Sequence, residues 1–326
     1  MAERPHVLIV GAGFGGLWAA RRLGGKPVDV TLIDRRNFHT FFPLLYQIAA
    51  AEVEAVEIAY PVRGILRRHP NVRFFMAEAR ELDPERRRLH TSRGTFPYDF
   101  LVVATGSAPH FFGIPGGDEH AFPLRTLEDG LALRNHILAR FEKALQEKEP
   151  ARRGTLRFVI VGGGPTGVEF AGALAELLFG PLAKDYPELR PDVSVVLVEA
   201  RDRLLPEMPA KLGHYAARRL ERMGVRVCLG ARVREVTPAQ VKLEGAPPLR
   251  TETVTWTAGM QGDPVARKWG LPTTRQGRVR VAPTLQVEGR PRVFVVGDLA
   301  HFEVRAEADP KERTAAGPEE RTAAGP

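Results

Sequence analysis

HVLIVGAGFGGLWAARRL (residues 6–23) returns in altered form as RFVIVGGGPTGVEFAGALAEL (residues 157–177). Each stretch is a short β-branched strand, a G-x-G-x-x-G turn and a run with helical periodicity. Gly11, Gly13 and Gly16 stand 151 positions before Gly162, Gly164 and Gly167. In such a turn the first glycine permits the sharp exit from the strand, and the second lets backbone approach a pyrophosphate. The third lets helix and strand pack closely, so that the helix N-terminus faces the anion. One such turn is weak evidence. Two, each set between a strand pattern and a helix pattern, predict two dinucleotide-binding units.

Outward from each turn the parallel continues. An acid ends the next strand pattern in both copies, Asp34 in VDVTLID and Glu199 in VSVVLVE, placed to accept hydrogen bonds from ribose hydroxyls. VRFFMAEARELDP from Val72 resembles VRVCLGARVREVTP from Val225, and VVATG ending at Gly106 resembles TWTAG ending at Gly259. Matching turns, strands and closing glycines in one order indicate a duplicated domain. The second copy has a longer path to its acid, and the excess, FGPLAKDYPELRPD, reads as a proline-marked loop insertion. A carboxylate at Glu199 opposes a 2′-phosphate, while Arg201 and Arg203 counter part of that repulsion, so NADH is expected over NADPH.

The remaining segments give the domain plan. Each half carries short alternating segments that read as a small β-meander. Pro109 and Pro115 mark a crossover, Leu124 to Glu149 is helix-rich, and Pro150 to Gly154 is a linker. The strands in RVRVAPTLQVEGRPRVFVVGD (residues 278–298) have no counterpart before Gly154, so the chain is expected to return and finish its first domain. The fold class is therefore α/β with two Rossmann-like domains, the first discontinuous: 1–112 plus 263–302, then 113–262. EVRAEADPKERTAAGPEERTAAGP (residues 303–326) repeats one octapeptide and reads as a low-complexity, disordered tail.

Composition narrows the function classes. One cysteine, Cys228, excludes both an intramolecular disulfide and a CxxC redox pair. Its strand setting favours a buried, structural thiol. The net charge of +8 favours anionic partners, yet no basic helix or aromatic-basic platform supports nucleic acid. An anionic lipid surface fits better, although no uninterrupted apolar run approaches the ~20 residues of a membrane span. No metal-ligand spacing is present, and His39, His110 and His301 read as surface or packing residues.

Four stretches carry a family resemblance: VLIVGAGFGGL, VTLIDRRNFHTFFPLLYQIA, VIVGGGPTGVEFAGALAEL and VFVVGDLA. They resemble the two-dinucleotide-binding-domain flavoproteins, and specifically type II NADH:quinone oxidoreductases, over residues 5–302. The Pro-Leu-Leu-Tyr-Gln continuation after the first acid is the most specific part. The resemblance implies FAD in the first unit, with Gly11, Gly13, Gly15 and Gly16 on the pyrophosphate and Asp34 on the ribose, followed by Arg35. Ala104, Thr105 and Gly106 would close over the flavin nucleotide, and Asp298 would hold the ribityl chain. NADH would occupy the second unit through Gly162, Gly164, Gly167 and Glu199, with Gly259 at its closing turn. Glu169 would face the nicotinamide–flavin stack. Its plainer reading is a carboxylate favoured by the helix macrodipole. Tyr46 and Gln47 would lie near the flavin or quinone path, a role that packing in an amphipathic helix from Leu44 explains equally well.

The implied reaction passes hydride from NADH to flavin and electrons on to a quinone. It would take place in the cytoplasm, on the inner face of the cell membrane, with a homodimer left open. Two alternatives remain: an NAD(P)H-dependent reductase of a small redox protein, and a nucleotide-binding remnant without turnover. The tail offers no apolar periodicity where the family continues into a flavin-covering helix and a membrane-docking region. Weak FAD retention and poor quinone reduction are the resulting expectation.

Overall fold

The computed structural model describes residues 4–147, 149 and 153–303. The repeated octapeptide lies outside them, as does the expectation drawn from it. Two sheets organise the described chain. The first runs, edge to edge, through Gln286–Val287, Arg290–Val295, Phe100–Val103, His6–Val10, Asp29–Asp34 and Val72–Met76. The second runs through Phe122–Pro123, Thr253–Trp256, Arg157–Val161, Ser194–Val198 and Val225–Cys228. All neighbours are parallel except the hairpin at the first sheet's outer edge.

A parallel sheet needs a crossover between strands, and helices on both faces then bury it twice. The period-2 side-chain alternation shows this directly. Leu8, Val10, Ile33, Leu101 and Val103 pack into one core, and Val7, Ile9, Val30, Leu32 and Val102 into the opposite one. In the second sheet Phe158, Ile160, Val195 and Leu197 oppose Val159, Val161, Val196, Val198 and Trp256 in the same way. The strands carry near-continuous apolar runs for that reason.

The duplication extends to register. Val10 pairs with Ile33 and Val103, and Val161 pairs with Val198 and Trp256. Each half also has its three-stranded meander, Ala79–Pro97 and Val233–Arg250. Both contain a register shift at the same place, between Ala79 and Glu81 and between Val233 and Glu235. The strand Arg290–Val295 pairs with Phe100–Val103, so the chain does return to the first sheet after the second is complete. Ser107–Pro109 and Met260–Gly262 pair where it crosses between the two.

Two expectations need correction. The insertion at residues 179–192 is not an open loop. Pro181 and Pro187 open short helical turns at Pro181–Asp185 and Pro187–Asp192, where a missing N–H does no harm. Leu182 and Leu189 from those turns are buried in the main core. Cys228 is only half-buried, at the end of its strand.

Among the described residues, one stretch, Pro165–Asp185, is long and apolar enough by composition to cross a membrane. Phe170, Ala171, Leu174 and Leu178 on it are buried against the second sheet, so it serves as a core helix. A second long helix, Leu127–Leu145, begins at a capping box: Asp129 N donates to Thr126 Oγ1 (3.2 Å) and Thr126 N to Asp129 Oδ2 (2.7 Å). Leu133, Ile137, Phe141 and Ala144 form its buried stripe, the spacing of one helix face. The short helix Leu45–Ala49 packs against both long helices and ties the halves together.

Candidate nucleotide-binding sites

The two glycine turns have the same physical design, position by position. Gly11 and Gly162 have φ of 103° and 113°, in the left-handed region that glycine alone enters freely. A β-carbon at Gly16 would lie 1.8 Å from Gly11 O, and one at Gly167 would lie 1.9 Å from Gly162 O. Those glycines set the helix-to-strand distance. Gly13 and Gly164 differ: a β-carbon there meets no atom within 4 Å. Gly13 lines a cleft, so a phosphate can approach its backbone there, and Gly164 is bare in the same way. Gly15 is constrained from another direction, since its β-carbon would stand 3.1 Å from Val296, just past the returning strand.

The strand-ending acids repeat the pattern. Ala12 N donates to Asp34 Oδ2 (2.7 Å) and Arg36 N to Asp34 Oδ1 (2.8 Å). Gly163 N donates to Glu199 Oε2 (2.6 Å) and Arg201 N to Glu199 Oε1 (2.8 Å). Each carboxylate is thereby fixed beside its glycine turn, with further lone pairs left to accept ribose hydroxyls.

A cleft of about 770 Å³ lies along the first turn. It gathers most of the residues expected there: Gly11, Gly13, Gly15, Asp34, Arg35, Ala104, Thr105, Gly106 and Asp298 line it. Gly16 sits behind the turn in the helix core. Thr105 Oγ1 is buried and has no hydrogen-bond partner among the described residues. A buried hydroxyl without a partner is costly, so this atom marks a place for a polar ligand group.

Sequence reasoning missed the charged cluster that closes the cleft. Arg125 donates from Nε to Ser107 O (3.1 Å) and from Nη2 to Asp298 Oδ2 (3.3 Å). Its guanidinium lies 4.6 Å from the Phe42 ring centre. Ser107 Oγ donates to the same Asp298 oxygen (2.9 Å). Burial lowers the Arg125 pKa, and the Asp298 carboxylate works against that shift. The only sequence signal near Arg125 is the helix start that follows it. Beside it, Arg36 forms an ion pair with Glu128 (2.9 Å), tying the first acid loop to the second half.

The remaining candidates are placed as follows. Glu169 lies in the first turns of Pro165–Phe179, and desolvation raises its pKa. Burial raises the Tyr46 phenol, and the Glu169 charge raises it further; the two helices that carry these residues pack together where the halves meet. The helix carrying Tyr46 and Gln47 starts at Leu45, after a tight turn at Phe42–Leu44. At Gly259, expected at the second closing turn, a β-carbon would meet the Phe112 ring at 2.4 Å. His39 is buried and joined through Nδ1 to Ala12 O (2.9 Å), bracing the first turn. His110 packs on Phe112, and His301 sits 3.7 Å from Glu303. Among the described residues, no group of three His, Cys, Asp or Glu side chains is gathered around a possible metal.

The sequence pattern of the pyridine nucleotide-disulphide oxidoreductase family matches residues 5–323. Type II NADH:quinone oxidoreductase Ndh of Mycobacterium tuberculosis is 39% identical over 317 residues, 92% of this chain and 68% of that protein. The chain belongs to the type II NADH:quinone oxidoreductase family. External alternative NAD(P)H-ubiquinone oxidoreductase B1 of Solanum tuberosum mitochondria is 31% identical over 93% of this chain and 56% of its own length. The chain thus spans about two thirds of the mycobacterial relative and just over half of the plant one. NDH2 of Plasmodium falciparum, solved in complex with NADH, superposes with a TM-score of 0.86 at 22% identity. That match covers 91% of this chain and 64% of the solved one, and it shows a shared fold.

For this family FAD is the implied resident cofactor, and the first cleft fits it. The open face at Gly13, the unpartnered Thr105 hydroxyl and the acid beside the turn are what a dinucleotide needs.

Proposed function

We propose that the first cleft holds FAD, that the second glycine turn binds NADH, and that the chain moves reducing equivalents from NADH to a quinone. FAD held there would supply hydride-accepting and electron-donating chemistry between the nicotinamide and the quinone. The observation carrying this reading is the repeated turn-and-acid geometry, with Ala12 N on Asp34 and Gly163 N on Glu199. Two copies of one nucleotide cradle in a single chain imply two nucleotides in use together.

The chain's own residues divide the work. Gly13 and Gly164 admit the pyrophosphates to main-chain N–H groups at helix N-termini. Asp34 and Glu199 accept from ribose hydroxyls, and Glu199 repels a 2′-phosphate. Thr105, Ser107 and Asp298 meet the flavin's polar chain, with Arg125 supplying positive charge. Glu169 and Tyr46 stand at the junction, where they orient the nicotinamide. Gly259 keeps the second closing turn against the crossover.

Quinones partition into lipid, so we place the chain at an anionic membrane surface on the cytoplasmic side, drawn by its net charge of +8. Such binding weakens as salt approaches ~1 M, where the Debye length is only ~3 Å.

The test uses FAD-loaded chain mixed with NADH and then with a quinone. Bleaching of the flavin absorbance by NADH and its recovery with quinone are the expected results. Flavin that binds but is not bleached by NADH would sink the assignment of the second turn.

A further inference from the structure

The outer edge of the first sheet carries another cavity. It is a groove of about 460 Å³ along the strand Val72–Met76, and Arg63, Arg67, His69 and Arg73 line it with Phe75. No acidic residue is among its walls. Among the described residues, no carboxylate forms an ion pair with Arg63, Arg67 or Arg73. Near the nucleotide turns, by contrast, Arg36 is paired with Glu128 and Arg201 with Glu207. Unneutralised positive charge concentrated in one concavity raises the local concentration of anions.

The ladder phase adds a second argument. Val30 N donates to Asn71 O (2.9 Å) and Ala77 N to Asp34 O (2.9 Å). Alternate residues of a parallel strand bond to one neighbour, so the main chain of Phe74 and Met76 faces outward, toward the groove. Arg63 Nη1 already donates to Phe74 O (2.9 Å), with its guanidinium 5.1 Å from the Phe74 ring centre. A peptide adding as a further strand would need that carbonyl, so the capped edge argues for a compact anion. His69 is held in place at the wall, because a β-carbon on Gly24 would come within 2.2 Å of its Nδ1. The ring of Phe75, 43% exposed, offers an apolar rim beside the arginines.

We propose that this groove binds a phosphate group, as a mono- or diester, with Arg63, Arg67 and Arg73 as its counter-charges. Arginine suits the role because its planar fork matches phosphate oxygens in pairs. If the phosphate belongs to a lipid headgroup, the proposal rests on the membrane-surface reading and names the face that docks. A free phosphate compound would occupy the groove independently of that reading.

The experiment uses the purified full chain, the double variant R67E/R73E, and the control R218E/R226E, which changes charge equally on the second half. R67Q/R73Q repeats the test without placing acid at the sheet edge. Inorganic pyrophosphate is titrated by calorimetry. Phosphatidylcholine vesicles with and without phosphatidylglycerol are tested by sedimentation. Wild type and control should bind at least one probe, and R67E/R73E should bind it more than about tenfold more weakly. Binding only to phosphatidylglycerol vesicles assigns a headgroup, and binding only to pyrophosphate assigns a soluble phosphate. Wild-type binding to neither probe, or equal weakening in both charge-reversal variants, overturns the proposal. Flavin bleaching by NADH is read on the same samples and stays unchanged in R67E/R73E, so the redox reading stands or falls separately.

Discussion

The two halves are built on one plan and differ in how the cleft is closed. Both have a bare second glycine, a buried third glycine and a carboxylate fixed by two main-chain N–H groups. Around the first turn, however, distant parts of the chain converge: Phe42, Ser107, Arg125 and Asp298 meet in one charged, half-buried cluster. At the matching place in the second half, Gly259 lies against Phe112. A site closed by several segments slows escape of its ligand. The contrast is the one expected under the proposal that the first half keeps a resident cofactor and the second takes a nucleotide substrate.

The strongest way to break this comparison is to fill the third glycine in each half. Gly16→Ala and Gly167→Ala place a β-carbon inside 2 Å of backbone oxygen. Strand and helix must separate, at roughly 3 kcal/mol or more in each case. Thermal unfolding should drop by a similar amount in both variants. Loss of flavin is expected in Gly16→Ala and loss of NADH-dependent bleaching in Gly167→Ala. A variant that lost both ligands equally would show that the halves do not act separately.

How much of this was legible beforehand follows from the range of the interactions. The glycine turns, the acids and the buried strands are local signals, and each appeared where the sequence placed it. The meanders were readable too, because alternation over a few residues sets their faces. Arg125 and Asp298 lie 173 positions apart, and nothing local links them. The insertion misled because its prolines read as breakers, while the fold uses them at the first positions of helical turns. Burial of Leu182 and Leu189 is a tertiary fact that proline spacing does not encode.

Removing the acids sharpens the contrast at the next level. Asp34→Ala and Glu199→Ala each leave two main-chain N–H groups without their charged acceptor. Such hydrogen bonds contribute ~1.5–3 kcal/mol. Flavin content after gel filtration should fall in Asp34→Ala. In Glu199→Ala flavin content should hold, while KM for NADH rises more than about tenfold and discrimination against NADPH shrinks. Wild type bleaching equally fast with NADH and NADPH would remove the specificity role from Glu199.

Acid should also separate the halves. His136, on the helix Leu127–Leu145, bonds through Nε2 to Thr253 Oγ1 of the second sheet (2.9 Å). Burial and then the Arg140 charge lower its pKa to about 4, despite the nearby Glu252. The unfolded chain, with a histidine pKa near ~6.5, binds more protons between those values. Stability from this group is therefore full above pH ~6.5 and is lost as pH falls toward 4, by about 2 kcal/mol. His136→Gln should flatten that part of the acid-unfolding curve, followed by NADH-site signals. An unchanged curve would mean that His136 is solvated in the folded protein.

The smallest expected effect tests the seam itself. Glu169 on the second half and Tyr46 on the first lie on helices that pack together, and the Glu169 charge adds to the raised Tyr46 pKa. Desolvation holds the Glu169 carboxyl above its ordinary range, so the group stays protonated to a higher pH than a free glutamate. Glu169→Gln keeps the shape and a hydrogen-bonding end while removing the ionisation. If Glu169 orients the nicotinamide as an ionisable group, flavin bleaching should slow only a few-fold, under about 1 kcal/mol. Its rate profile should also lose the step that the raised Glu169 pKa produces. Flavin content should not change, because the residue belongs to the second half. A purely structural carboxylate favoured by the helix dipole would instead shift the melting temperature and leave the rate profile intact. Tyr46→Phe supplies the matching arm: it removes the phenol that the carboxylate perturbs, and a profile altered in both variants would place the two groups in one functional pair across the seam.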